Sequence, residues 1–198
     1  MVKKIKKVKI FCDAAELAQM WPVYHKVSGY TCNPTLMRKA GVTNYEVFAR
    51  AALKAIPDKP ISFEVFSDDF DGMERQARLI SGWGKNVYVK IPITDTKGQS
   101  SETLIAKLSK AGIKLNVTAV FTPKQIMDVS RHLTGAPAIL SIFAGRIADT
   151  GIDPIPICKF AKNVLTMNVE VLWASTRELF NIKQAEEAGC DIITVTPD

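Results

Sequence analysis

Asn86-Val87-Tyr88-Val89-Lys90-Ile91-Pro92-Ile93-Thr94 decides how this chain is read. The run is rich in β-branched residues, which favour a strand, and Pro92 ends it because proline cannot donate to a sheet ladder. Side chains alternate along a strand. Val87, Val89 and Ile91 therefore share one face, while Tyr88, Lys90 and Pro92 share the other. A lysine in so apolar a run has two readings. On an edge strand it points to solvent. On a covered strand it enters a partly desolvated site, where burial disfavours the ammonium form, lowers its pKa and leaves a lone pair able to attack a carbonyl.

On either side of this run, strand-like and helix-like segments alternate from end to end. Strands are predicted at 5–12, 27–32, 60–66, 86–92, 113–118, 138–142, 169–173 and 191–196. Helices are predicted between them at 14–25, 44–55, 71–82, 99–111, 123–134, 154–166 and 178–188. Thr122-Pro123 supplies an N-cap followed by proline in the first turn, and Gly112 and Gly189 close their helices. No low-complexity linker divides the chain, so residues 1–198 read as one domain.

Such alternation means an α/β fold with a parallel sheet. An open sheet covered on both faces has near-continuous apolar strands. Here Ile113, Leu115 and Val117 fall on one parity, against Lys114, Asn116 and Thr118 on the other. Ile61, Phe63 and Val65 likewise oppose Ser62, Glu64 and Phe66. A closed (β/α)8 TIM barrel accounts for this, with apolar residues facing outer helices and polar ones converging inside. The length of 198 residues makes it a compact example, since about 250 is typical. The sequence ends at Pro197-Asp198, directly after the eighth strand, so a C-terminal eighth helix is expected to be lacking: either this is a fragment, or something else covers the outer side of strands eight and one. The apolar strand Ile192-Ile193-Thr194-Val195 is then expected to need a second copy of the chain as cover, which makes a homo-oligomer.

The hydrophobic fraction of 47% and charged fraction of 23% are those of a soluble globular protein. No apolar run is long enough to cross a bilayer, and the lysine-rich start lacks the apolar core of a signal peptide. Cys12, Cys32, Cys158 and Cys190 are widely spaced, with no CxxC pair or histidine cluster. That argues against a metal site and for reduced thiols in a cytoplasmic protein. Lys3, Lys4, Lys6, Lys7 and Lys9 supply much of the net charge of +6. Without interleaved aromatics or a binding motif they read as a solvated strand rather than a nucleic-acid surface, and a positive field suits anionic small substrates.

Active sites of this fold lie at the carboxyl ends of the strands. Those ends carry Asp13, Asn33, Glu64, Lys90, Asn116, Thr118, Ser141, Ser175 and Arg177. Each has an ordinary explanation: Asp13 and Asn33 as helix caps, Ser141 and Ser175 as turn residues, Glu64 as a solvated carboxylate. Together they place a lysine, two carboxylates and several amide or hydroxyl groups around one rim. A lysine amine can condense with a ketone to an iminium, an electron sink for cleavage of the adjacent carbon–carbon bond. Two carboxylates in different surroundings can divide the proton transfers that this chemistry needs.

The chain resembles the transaldolase family, especially its short members, which include fructose-6-phosphate aldolases. The likeness rests on an ordered set of segments: Phe11-Cys12-Asp13, Gly29-Tyr30-Thr31-Cys32-Asn33-Pro34, Glu64-Val65, Val89-Lys90-Ile91-Pro92, Leu115-Asn116-Val117-Thr118, Ser141-Ile142-Phe143-Ala144-Gly145-Arg146, and Ala174-Ser175-Thr176-Arg177. The resemblance implies that Lys90 is the Schiff-base lysine and Asp13 the acid/base at the hydroxyl beside the scissile bond. It implies that Glu64 and Thr118 hold the water of carbinolamine dehydration, and that Asn33, Asn116 and Ser141 hold the dihydroxyacetone moiety. Arg146, Ser175 and Arg177 match phosphate-binding positions. The implied reaction, without cofactor, moves a dihydroxyacetone unit from sedoheptulose 7-phosphate or fructose 6-phosphate to an aldose phosphate in the pentose phosphate pathway.

Glutamate at 64 and phenylalanine at 143 resemble the transaldolase branch, where the aldolase branch carries glutamine and tyrosine. Cleavage to free dihydroxyacetone and a non-catalytic sugar-phosphate-binding barrel are the alternatives. Ala14 and Cys32 stand where threonine is usual, and Ile142 where proline is usual. Trp173 replaces a glycine just before the phosphate-binding segment, and its bulk is expected to reshape the acceptor pocket.

Overall fold

The computed structural model describes residues 7–197. Lys3, Lys4, Lys6, the first residues of the strand expected at 5–12, and Asp198 lie outside the described residues. Eight parallel strands close into a barrel in sequence order: β1 (Lys9–Asp13), β2 (Gly29–Thr31), β3 (Ile61–Glu64), β4 (Val87–Pro92), β5 (Leu115–Val120), β6 (Ala138–Ile142), β7 (Val169–Trp173) and β8 (Ile192–Val195). The helices are α1 (Leu17–Met20), α2 (Pro34–Lys39), α3 (Tyr45–Ala55), α4 (Phe70–Ser81), α5 (Glu102–Lys110), α6 (Pro123–Ser130), α7 (Ala144–Ala148), α8 (Ile155–Val164) and α9 (Asn181–Ala188).

The register carries one parity around the whole ring. Phe11 pairs with Gly29, Thr31 with Ser62, and Glu64 with Lys90. Lys90 pairs with Asn116, Asn116 with Ile139, and Ser141 with Leu172. Leu172 pairs with Ile192, and Thr194 returns to Phe11. These residues all face the barrel interior. Their neighbours, among them Phe63, Val89, Val117, Leu140 and Val171, face outward and are fully buried under the helices. Each such side chain removed from water contributes about 1.5–3 kcal/mol, so this layer supplies most of the stabilisation.

The interior is divided. Phe11, Ile139, Leu172, Ala174 and Ile192 form an apolar wedge from β1, β6, β7 and β8, with Tyr88 and Phe143 against it. The Phe11 ring occupies the space beside Gly29, where a Cβ would come within 2.5 Å of it. The remaining sector is polar and holds the site.

The helices start where capping chemistry allows. Asn33, Asn44 and Asp69 cap α2, α3 and α4, and Thr122 with Gln125 forms a capping box on α6. The helix expected over 14–25 is instead the short α1 followed by a 3-10 turn at Tyr24–Lys26. Pro22 interrupts it, because its ring has no N–H and clashes with the carbonyl one turn back. Helices α2 and α7 were not predicted. Strand β8 leaves less apolar surface than expected, since Ile192 and Ile193 are fully covered within the single chain.

Candidate active site

Lys90 projects from the interior face of β4 and is 7% exposed. Its Nζ lies 3.0 Å from Oε2 of Glu64 on the neighbouring strand β3. This pairing follows from register, because Glu64 and Lys90 are directly opposed. Asp13, at the end of β1, accepts from Thr31 Oγ1 at 2.7 Å and from Asn33 Nδ2 at 3.4 Å. Thr31 and Thr194 hydroxyls lie 2.7 Å apart. Asn33 serves twice, since its Oδ1 also accepts from Leu36 N as the cap of α2. Asp13, by contrast, is no helix cap; Glu16 stands at that position.

The electrostatics differ from the expectation for the lysine. Burial is the largest influence on Lys90 and pulls its pKa down, but Glu64 and Asp13 together outweigh it, and the net direction is upward. The two carboxylates therefore favour the ammonium form, against the neutral amine expected from desolvation alone. Asp13 also moves upward: burial outweighs the attraction of Lys90 and the hydrogen bonds from Thr31 and Asn33. A carboxyl group raised in this way exchanges protons more readily near neutrality.

These groups line a cavity of about 560 Å³ at the carboxyl ends of the strands. Asp13, Asn33, Glu64, Lys90, Thr118, Ser141, Phe143, Arg146, Ser175 and Arg177 all reach it. Asn116 does not. It is fully buried, donating to Ser62 Oγ at 3.0 Å and accepting from Ser141 Oγ at 2.6 Å. Thr118 Oγ1 is buried without a hydrogen-bond partner, a position suited to an ordered water. Beside it, Ala119 adopts a left-handed φ of 57° where the β5–β6 register shifts. Such a conformation costs about 1–3 kcal/mol in a non-glycine residue and turns the end of β5 toward the rim.

On the opposite side, Phe143 meets Phe121 edge-on, with centroids 5.6 Å apart, and the Arg146 guanidinium lies 5.4 Å from the Phe143 ring. Gly145 lets the loop after β7 approach closely: a Cβ there would sit 1.7 Å from the Ser175 carbonyl oxygen. Ser175 itself has a φ of 64°. Trp173 does not enter the cavity. It faces outward into the layer under the helices, 1% exposed, because β7 directs Leu172 and Ala174 inward. The reshaped pocket expected from its bulk is thus corrected by parity.

Thr31, Thr194, Ser62 and Asp149 were missed in the sequence reading. Asp149 makes a bidentate pair with Arg177. Parity flagged Ser62, and strand-end position was available for Thr31 and Thr194; nothing local marked Asp149. Among the described residues, no group of three or more His, Cys, Asp or Glu gathers to hold a metal.

The chain matches the Transaldolase/Fructose-6-phosphate aldolase family over residues 10–198. The chain belongs to this family. It is 35% identical over 193 residues to a protein named probable transaldolase 2 from Listeria monocytogenes, covering 95% of this chain and 84% of that one. A probable transaldolase from Sulfurihydrogenibium is 34% identical over 193 residues, with 95% and 85% covered. Among solved structures, dihydrodipicolinate synthase from Rhodopseudomonas palustris superposes with a TM-score of 0.64 at 14% identity, over 96% of this chain and 70% of that one. Ruminococcus gnavus sialic acid aldolase gives 0.62 at 9% identity, over 96% and 68%. At such identities these two structures support the barrel alone. Membership in the transaldolase/fructose-6-phosphate aldolase family thus rests on sequence, and its barrel presents one buried lysine between two carboxylates.

Proposed function

We propose that the protein is a class I transaldolase that carries a dihydroxyacetone unit on Lys90. The observation behind this is the buried Lys90–Glu64 contact of 3.0 Å at the cavity floor, with Asp13 close enough to act on the lysine's charge. Because the resting lysine is an ammonium, the first step is loss of its proton to a neighbouring carboxylate. The amine nitrogen then bonds to the ketone carbon of fructose 6-phosphate or sedoheptulose 7-phosphate as the carbonyl π bond breaks, and a proton passes from that nitrogen to the ketone oxygen, giving the carbinolamine. A water held by Glu64 and the unpartnered Thr118 hydroxyl relays a second proton as that oxygen departs as water, leaving the iminium.

Asp13 then takes the proton of the hydroxyl on the far carbon of the scissile bond. The bond's electron pair moves into the iminium, an enamine forms, and an aldose phosphate leaves. Addition of the enamine to a second aldose phosphate, with the proton returned from Asp13, followed by hydrolysis restores Lys90. Asn33 and Ser141 face the bound triose, with Asn116 setting the Ser141 hydroxyl from behind. Arg146, Ser175 and Arg177 receive the phosphate, where planar guanidinium groups suit bidentate recognition. Phe143 offers no hydroxyl to protonate the enamine, so transfer outruns release of free dihydroxyacetone.

The four cysteines are buried and none forms a disulfide among the described residues, where no helix is long and apolar enough to cross a membrane. The reading places the enzyme in the cytoplasm, within the pentose phosphate pathway. It also retains a homo-oligomer, now on the exposed neighbours Leu179 and Phe180 rather than on β8. Borohydride reduction with fructose 6-phosphate, followed by peptide mapping, tests the chemistry. An adduct on Lys90 is expected, and an unmodified Lys90 overturns it. Efficient release of free dihydroxyacetone without an acceptor favours the aldolase alternative instead.

A further inference from the structure

Asp149 has no task in the reaction above, yet it is fastened to a residue that does. It follows α7 directly and presents both oxygens to one edge of the Arg177 guanidinium: Nε donates to Oδ1 at 3.1 Å and to Oδ2 at 3.2 Å, and Nη2 donates to Oδ2 at 2.6 Å. On the other side, Nη1 donates to the Ser175 carbonyl at 3.2 Å. Arginine has five N–H donors. These contacts occupy three of them and leave one N–H on each terminal nitrogen, enough for a bidentate hold on an anion.

The surroundings make this a brace rather than an incidental surface pair. The Arg177 main-chain N–H donates to Asn181 Oδ1 at 2.8 Å, fixing the base of the side chain. Gly145 N–H donates to the Ala174 carbonyl at 3.3 Å, and the Gly145 Cα packs directly on the Ser175 carbonyl. The segments after β6 and β7 are thus joined at both the main chain and the Asp149–Arg177 pair. An exposed ion pair by itself adds little to stability, so the gain lies in where it holds the guanidinium. The opposite possibility is that the Asp149 charge repels an incoming phosphate and competes for Arg177. Two donors stay free with Asp149 in place, which favours bracing over competition.

We infer that Asp149 is a positioning residue for substrate phosphate, holding Arg177 with its two free N–H groups turned toward the cavity mouth. This rests on the proposed function insofar as Arg177 meets the phosphate. The test compares the full chain with Asp149→Ala and Asp149→Asn. Calorimetry with inorganic phosphate is expected to show binding weakened by about two- to tenfold, the range that ordering one rotamer-rich side chain corresponds to. KM for fructose 6-phosphate should rise by the same factor, with kcat, the melting temperature and turnover of unphosphorylated fructose unchanged. Equal or tighter phosphate binding in Asp149→Ala, or no phosphate binding by the unmutated protein, overturns the inference. A protein that binds phosphate but forms no Lys90 adduct would instead sink the proposed chemistry, while the phosphate comparison still decides the role of Asp149.

Discussion

Replacing Glu64 with glutamine removes one charge from the Lys90 pair and keeps its shape. At 3.0 Å, with an effective dielectric of about 20, the attraction between the two charges is about 5 kcal/mol. Both side chains retain some solvent contact, 9% and 17%, so the effective loss is smaller. Even a third of it, about 2 kcal/mol, changes the ratio of amine to ammonium more than tenfold at fixed pH. Burial already acts downward on Lys90 as the largest single influence, and the two carboxylates, with a lesser contribution from Cys32, reverse it. With Glu64 neutral, Asp13 and the lesser influence of Cys32 are left to oppose burial. Glu64→Gln should therefore lower the Lys90 pKa.

The assay is cyanoborohydride trapping with fructose 6-phosphate, read by intact mass from neutral pH to pH above the ordinary lysine range. Adduct formation in the unmutated protein should climb as the ammonium loses its proton. In Glu64→Gln the midpoint of that climb should move to lower pH. The plateau should fall, because the carboxylate proposed to relay protons during dehydration is gone. Midpoint and plateau thus report separate roles of one residue. A midpoint that stays in place, or moves upward, refutes the claim that Glu64 holds the ammonium.

Asp13→Asn should abolish transfer yet stabilise the fold. The raised pKa of Asp13 means that its contribution is fully present below the unfolded-state value and is lost as pH rises through the folded-state value. The melting temperature of the variant relative to the parent should accordingly increase from acidic to neutral pH, and a relative decrease would contradict the burial argument. Gly29→Ala places a Cβ 2.5 Å from the Phe11 ring, an overpacking of about 1–3 kcal/mol, or a melting temperature lower by roughly 2–12 °C. Trapping on Lys90 should survive in that variant, and an unchanged melting curve would show that the Phe11 ring moves freely aside. Phe143→Tyr should raise cleavage to free dihydroxyacetone relative to transfer, measured as the product ratio with and without an acceptor; an unchanged ratio removes Phe143 from control of the enamine.

The barrel was legible because its strands are short enough for parity to be read residue by residue. Lys114, Asn116 and Thr118 against Leu115 and Val117 can be sorted without knowing what lies beside them. The same parity corrects the pocket role given to Trp173, which is odd where Leu172 is even. Helix α2 was also signalled, by Asn33-Pro34 as cap and first turn, but its six residues are too few to show a helical period. Helix α7, of five residues and with no side-chain cap, left no mark at all. Partners that depend on distance in space stayed hidden. Asn116 is committed to Ser62 and Ser141, which lie 54 and 25 residues away, and Asp149 to Arg177, 28 away.

The lysine shows why those distances matter more than composition. From the strand alone, an apolar environment predicts a neutral amine, and burial does act in that direction. Whether the amine is neutral depends on how many carboxylates the fold brings close enough to act on its charge, and here β3 supplies one and β1 another. An unpaired buried ammonium would shed its proton, whereas carboxylates beside it favour keeping it. In the proposed reaction the arrangement would therefore store the proton needed for dehydration on the nucleophile itself. Loss of that proton to a carboxylate also neutralises the pair, so the step that frees the lone pair loads the acid that the next step uses. A second cation near Lys90 would make a better nucleophile in the free protein but would leave no such acid. In the reaction proposed for Lys90, the carboxylates on β1 and β3, rather than the hydrophobic surroundings, would suit it to forming and dehydrating a carbinolamine.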